Sequence, residues 1–266
     1  MKQVFSLLTI FSITMILLVG GGVYWWSNAK IEQAKQVAST AIVNTVTLTL
    51  SEQIALLSKT LEKIAEDPEV LTAMSSGDPA SLATVATKLE KFFPDALKIR
   101  LLLPDVIQLD EKNSPRMGFA DIDMVHETLN NNQSPGIQGY EGADRHLAIT
   151  RRITNNGQVV GVILASLNYD FFKRSIEAAA LKDGYIELRQ EKMILGASGK
   201  RDDSGQSESL QKKVENTSWE LFYQYPVTTN LAQTVYLIII ITTPILLSLL
   251  AFFIGYRRIA DLMAKN

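Results

Sequence analysis

Cysteine is absent from these 266 residues. That excludes disulfides, a thiolate nucleophile, a Cys-x-x-Cys redox pair and any cysteine-based zinc site. Histidine is nearly absent as well: His126 and His146 are the two in the chain. Two histidines with no third ligand at a useful spacing do not make a metal centre. No Gly-x-Ser-x-Gly elbow and no glycine-rich phosphate loop ahead of a helix occur, so no catalytic constellation, metal or cofactor is expected. Gly196-Ala197-Ser198-Gly199 reads as a turn. A strong positive charge is missing too: the net charge is -2, and scattered charges of an acidic domain do not suit nucleic acid.

Charge is also missing from two long stretches. Val4 to Trp26 and about Val235 to Tyr256 each run roughly 22 residues without a charged side chain, about 33 Å as a helix and enough to cross a bilayer core. Lys2 lies outside the first run, and Arg257, Arg258 and Lys265 lie outside the second. Short basic flanks stay in the cytoplasm. Tyr24, Trp25, Trp26 and Tyr236 sit at the opposite ends, where an interfacial aromatic belt belongs. No Ala-x-Ala cleavage pattern follows the first run, so it reads as an uncleaved anchor. The expected organisation is a cytoplasmic N-terminus and first span over 1–26, a periplasmic domain over 27–232, a second span over 233–256 and a cytoplasmic tail over 257–266. This is a two-pass protein of the inner membrane, with the bilayer as its first partner.

Proline and glycine are absent from Ser27 to Ala65. Apolar residues there recur at threes and fours, from Ile31 and Ala34 to Leu61 and Ile64, and predict one long helix stopped by Asp67-Pro68. Its apolar stripe suggests a homodimer. Asp78-Pro79 opens a helix over Ala80 to Phe92. Leu97 to Leu103 reads as a strand, and 105 to 145 as loop with one helix near Asp121 to Asn130. His146 to Thr154 and Gln158 to Leu167 read as strands joined by an Asn-Gly turn. Tyr169 to Leu181 reads as a helix capped by Asp170. A hairpin over Tyr185 to Ala197, a polar loop with a short helix after it, and a last strand over Ser218 to Pro226 complete the pattern. The class is α+β: a long N-terminal helix and a mostly antiparallel five-stranded sheet, flanked by two membrane helices. Pro244 breaks the second span, with Thr242 and Thr243 placed to compensate.

The layout of span, long helix, sheet and span resembles the Cache (PAS-like) extracellular sensor domains of bacterial chemoreceptors and sensor kinases. GQVVGVILASLNYDFFKRSI and SWELFYQYP carry that resemblance, and the chain's length suggests a single module. A narrower stretch, SGDPASLATVATKLEKFFPDALKIRLLLPD followed by SPRMGFADIDMV, is similar to the N-terminal two-span membrane region of long-form bacterial phosphomannomutase/phosphoglucomutases, over roughly residues 70 to 170. The serine and metal loops of those enzymes do not occur, so no mutase residue is carried over. The chain is expected to be a fragment or a free-standing relative of that sensor region.

The Cache resemblance implies a small molecule held between the sheet's concave face and the loops over it. Guanidinium groups grip carboxylates in bidentate fashion, which singles out Arg100, Arg145 and Arg151, with Arg152 beside them. Tyr140 and Tyr185 supply a ring and a hydroxyl, and Asp144 or Asp170 suits an amine. The same arginines alternate with apolar positions and fit a solvated sheet face equally well. His126 reads as a surface residue and His146 as structural or pocket-lining. Two functions follow: a sensory ligand-binding module for a small carboxylate or similar molecule, or a non-catalytic anchor for a partner.

Overall fold

The computed structural model describes residues 2–131, 135–142, 144–179, 184–205, 207–226 and 231–264. It falls into two compact units. One comprises 39–226, and the other comprises 1–38 with 227–266.

Helix α1 (Lys2–Ala65) begins in the second of these units and ends in the first. The predicted absence of breakers is realised as one continuous helix. In the 39–226 unit its Val43, Val46, Leu50, Ile54, Leu57 and Leu61 are buried. They are spaced three and four apart, which lines them on one face. Two short helices follow, α2 (Pro68–Ser76) and α3 (Pro79–Glu90). Both start at an Asp-Pro pair. Asp67 and Asp78 accept from the backbone N–H of Glu69 and Ser81, and proline takes the first helical position, where no N–H is needed. Gly77 (φ +63°) ends α2 in the left-handed region.

Two four-stranded sheets follow in sequence. The first has spatial order β1-β4-β3-β2, from β1 (Ala96–Leu102), β2 (Gln138–Tyr140), β3 (His146–Asn155) and β4 (Gln158–Leu167). Asn156 (φ +52°) and Gly157 (φ +80°) form the two-residue turn between β3 and β4, the left-handed pair a tight hairpin demands. The second has order β6-β5-β8-β7, from β5 (Tyr185–Gln190), β6 (Met193–Ser198), β7 (Ser207–Lys213) and β8 (Trp219–Pro226). Every pairing is antiparallel. The sequence windows pointed to a single five-stranded sheet, and the structure corrects that count to eight strands in two sheets among the described residues. The helix expected after the polar loop is instead edge strand β7. Its SESLQKK sequence buries almost nothing, which removes the apolar signal a strand normally gives.

Strand parity decides what each face of the first sheet meets. Ile99, Leu101, Leu147, Ile149, Ile153, Ile163, Ala165 and Leu167 belong to the main core, together with residues of α1 to α3 and of the second sheet. Ala148, Val162 and Leu164 point the other way, onto Met124 and Val125 of α4 (Phe119–Asn130) and onto Met117. Helix α5 (Asp170–Ala179) packs Phe172 against Trp219 of the second sheet, ring centroids 5.8 Å apart. Its capping bond comes from Asn168, whose side chain accepts from Asp170 N at 3.1 Å. Asp170, expected to be the cap, is in the first turn.

In the other unit, the N-terminal part of α1 and α6 (Leu231–Ala264) supply two segments long and apolar enough to cross a membrane, with mean hydropathy 2.1 and 2.5 over their most apolar windows. They meet at Gly20, where a Cβ would lie 2.7 Å from Ile241 Cγ1, so only glycine permits that approach. Pro244 leaves the Ile240 carbonyl without its helical donor. Thr242 and Thr243 donate to Ile238 and Ile239 instead. They strengthen the preceding turn and do not replace the missing bond.

Candidate functional site

The pocket implied by the sequence resemblance lies between a sheet and the loops over it, and α4 with the loop before it covers one side of the first sheet. Its centre is filled by Met117, Met124 and Val125 on Ala148, Val162 and Leu164. Space remains at the two edges. A cavity of about 470 Å³ opens by β2 and the start of α4, and another of about 400 Å³ lies along β1.

The first cavity gathers polar groups of both signs. Tyr140 and His146 are cross-strand partners on β2 and β3, so both side chains face α4. Their rings lie 5.3 Å apart. Tyr140 donates its hydroxyl to Ala120 O at 3.2 Å. Burial, with Asp121 and Asp123 adding to it, raises the phenol's pKa, so it stays a neutral donor. Asp121 caps α4 by accepting from Gly118 N through Oδ2. Its Oδ1 lies 3.0 Å from His146 Nε2, with both side chains buried. His146 Nδ1 lies 2.6 Å from Asp144 O. A carbonyl only accepts, so Nδ1 carries a hydrogen.

Nearer solvent, Asp144 accepts from Arg116 N at 3.2 Å and from Arg116 Nε at 2.5 Å. The hydrogen bond from Arg116 holds the Asp144 carboxyl below its ordinary range. Glu111, Glu141 and the exposed ring of Phe119 complete the rim. Cation and carboxylates side by side in a concave site can receive a carboxylate at Arg116 and an amine at the acids. Among the described residues no cluster of three or more metal-ligating side chains occurs.

The five residues expected to share one pocket are dispersed. Tyr140 lines the first cavity and Arg100 the second. Arg145 donates to Leu195 O at 2.6 Å and covers the Tyr169 ring at 4.0 Å, joining the two sheets. Arg151 points to the α1 face and pairs with Glu62 at 2.6 Å, half-exposed. Tyr185 lies in the second sheet and donates to the fully buried Glu187, which Arg189 also grips. Burial and Glu187 push the Tyr185 phenol up to about 12. Asp144 joins Tyr140 in the first cavity, whereas Asp170 is in α5. Sequence reasoning passed over Arg116, Phe119 and Asp121. The signal for Asp121 was present, three residues after Gly118 as a carboxylate capping its own helix.

No protein-family model matches the chain, and no curated protein matches it, so the similarity of residues 70 to 170 to the mutase membrane region is not shown. Solved structures do match. The extracellular domain of rpHK1S-Z16, described as a histidine kinase, superposes with TM-score 0.52 at 11% identity, covering 74% of this chain and 95% of that one. The ligand-binding domain of the Campylobacter jejuni chemoreceptor Tlp3, solved with L-norvaline, gives 0.50 at 15% identity, covering 74% and 94%. At such identities the likeness concerns the fold alone, which this chain shares with those two domains.

Proposed function

We propose that the 39–226 unit is the ligand-binding module of a membrane-anchored sensor, and that its ligand is a small zwitterion or amine held in the cavity between β2, β3 and the start of α4. The observation that carries this reading is the convergence there of Arg116, Asp121, Tyr140, Asp144 and His146. The fold shared with extracellular sensor domains supports it, as does the α-amino acid in the chemoreceptor structure. The same reading puts the module outside the cytoplasmic membrane with both termini inside, gives it no catalytic role, and pairs two copies through exposed Val37, Leu48 and Leu56 of α1.

The full chain in lipid nanodiscs, screened by thermal shift against amino acids, amines and carboxylates, tests the proposal. A ligand that binds the native state raises its midpoint by mass action. At least one amino acid or amine is expected to do so in wild type and to lose tenfold or more in affinity in Asp144→Ala. A panel without any stabilising compound contradicts the reading.

A further inference from the structure

Among the described residues β1 is an edge of the first sheet, with β4 as its single strand neighbour. The groups around it fix which way its backbone faces. Ile99 N donates to Glu90 Oε1 at 3.1 Å, and Leu103 O accepts from Val106 N at 3.2 Å. Neither bond runs to β4, so Ile99 and Leu103 turn their backbone groups toward the edge. Leu101 lies midway between them, and alternation along the strand gives its N–H and C=O the same direction. Among the described residues no group outside the sheet bonds to either. Leu101 is 8% exposed, and a buried backbone donor and acceptor without partners are uncommon.

The second cavity, of about 400 Å³, runs along this edge. Helix α3 bounds it on one side with Leu82 and Ala86, and the loop after β1 bounds it on the other with Val106 and Gln108. Leu101 and Leu103 extend the aliphatic wall. The cations along it are neutralised in pairs, Lys98 by Glu90 at 2.9 Å and Arg100 by Asp110 at 2.8 Å. An occupant therefore meets no net charge, and a charged one would lose its hydration without gaining a counter-ion. A small apolar molecule would cover the aliphatic wall but leave the Leu101 backbone unbonded. An extended peptide satisfies both.

We propose that the β1 edge is a docking site for a partner protein, which adds an extended, uncharged, aliphatic segment to the first sheet as a further strand. In antiparallel register the residue opposite Leu101 donates to its C=O and accepts from its N–H. Directly opposed side chains share a face. That residue and those two positions away from it lie against Leu82, Ala86 and Leu103, while the residues between them can be polar. This surface is at the sheet edge opposite β2 and so is separate from the cavity beside Tyr140.

The test is calorimetric titration of the full chain, in nanodiscs of zwitterionic lipid, with an acetylated and amidated pentapeptide. It alternates three valines with two glutamines, valine at both ends and in the centre. Such a peptide carries neither the amine nor the carboxylate proposed for the other cavity, so failure of either reading leaves the other standing. Saturable binding is expected. N-methylation of the central valine removes the N–H aimed at Leu101 O and should weaken binding tenfold or more. N-methylation of a glutamine, whose N–H points away from β1, should change it less than threefold. Ala83 lines the cavity from an exposed position on α3. Ala83→Trp narrows the cleft and should weaken the peptide at least tenfold, with the ligand-free thermal midpoint unchanged. Four results would overturn the proposal: absence of saturable binding; equal losses from the two methylations, which mark side-chain partition; full affinity in Ala83→Trp; or affinity that falls as protein concentration rises, which marks a second copy on the same edge.

Discussion

His146 Nε2 and Asp121 Oδ1 lie 3.0 Å apart, both side chains buried, and join the first residue of β3 to the first turn of α4. Since His146 Nδ1 already donates to Asp144 O, the contact at Nε2 needs one further hydrogen between ring and carboxylate. Asparagine at 121 supplies that hydrogen from its amide and keeps an oxygen for Gly118 N. Asp121→Asn is therefore expected to cost about 1 kcal/mol, whereas Asp121→Ala, which strands the histidine, costs about 3 kcal/mol. Thermal unfolding of the full chain in nanodiscs measures both. Equal losses would mean that the pair does not hold the cavity wall.

Gln190 is the polar seam between the sheets. Its Oε1 accepts from Gly139 N of the first sheet at 2.8 Å and from Trp219 Nε1 of the second at 3.0 Å. Gln190→Leu leaves two N–H donors unpaired, and a loss of about 2–4 kcal/mol is expected at roughly 1–2 kcal/mol for each. Hydrogen exchange should show protection falling at Gly139 and Trp219 together.

How much of this was legible beforehand follows from the range of the contacts involved. The Asp-Pro helix starts, the Asn156-Gly157 hairpin and the core stripe of α1 are local patterns, and the sequence displays them. Strand β2 is three residues long and β7 is polar, so neither carries the alternation that marks a strand. The site depends on pairings far apart in sequence: Tyr140 with His146 across two strands, and Arg116 with Asp144 over 28 residues. Alternation alone could not tell Arg100, turned toward α4, from Arg151, turned toward α1. The register of β1 and β3 on β4 puts them on opposite faces, and which face carries the cavity depends on where α4 docks.

Glu187 predicts an acid limb in stability. Burial favours its neutral form, yet hydrogen bonds from Arg189 and Tyr185 outweigh burial and hold the carboxyl below its ordinary range. A lowered folded value means the stabilisation is present above the unfolded carboxylate value, about 4.3, and is lost as pH falls through the folded one. Glu187→Gln should lose about 2 kcal/mol at pH 7 and show a shallower decline below pH 4.3. Chemical denaturation at several pH values checks the slope.

Arg151 offers a contrast. Its pair with Glu62 is half-exposed, and such pairs contribute roughly 0–1 kcal/mol. Arg151→Ala is expected to change stability by less than about 0.5 kcal/mol and to leave ligand response intact. A tenfold loss of ligand affinity in this variant would move the site to the α1 face.

The most direct measurement exploits the absence of cysteine. Phe119→Cys places a single thiol, and so an environment-sensitive fluorophore, on the exposed rim of the first cavity. Phe92→Cys places the same probe just beyond α3, where the side chain is exposed to a similar degree. Titration of both labelled proteins with the amino acid or amine that protects against unfolding should give a saturable change at 119 and none at 92. Silence at 119, or an equal response from both positions, would contradict a ligand-binding module built on that cavity.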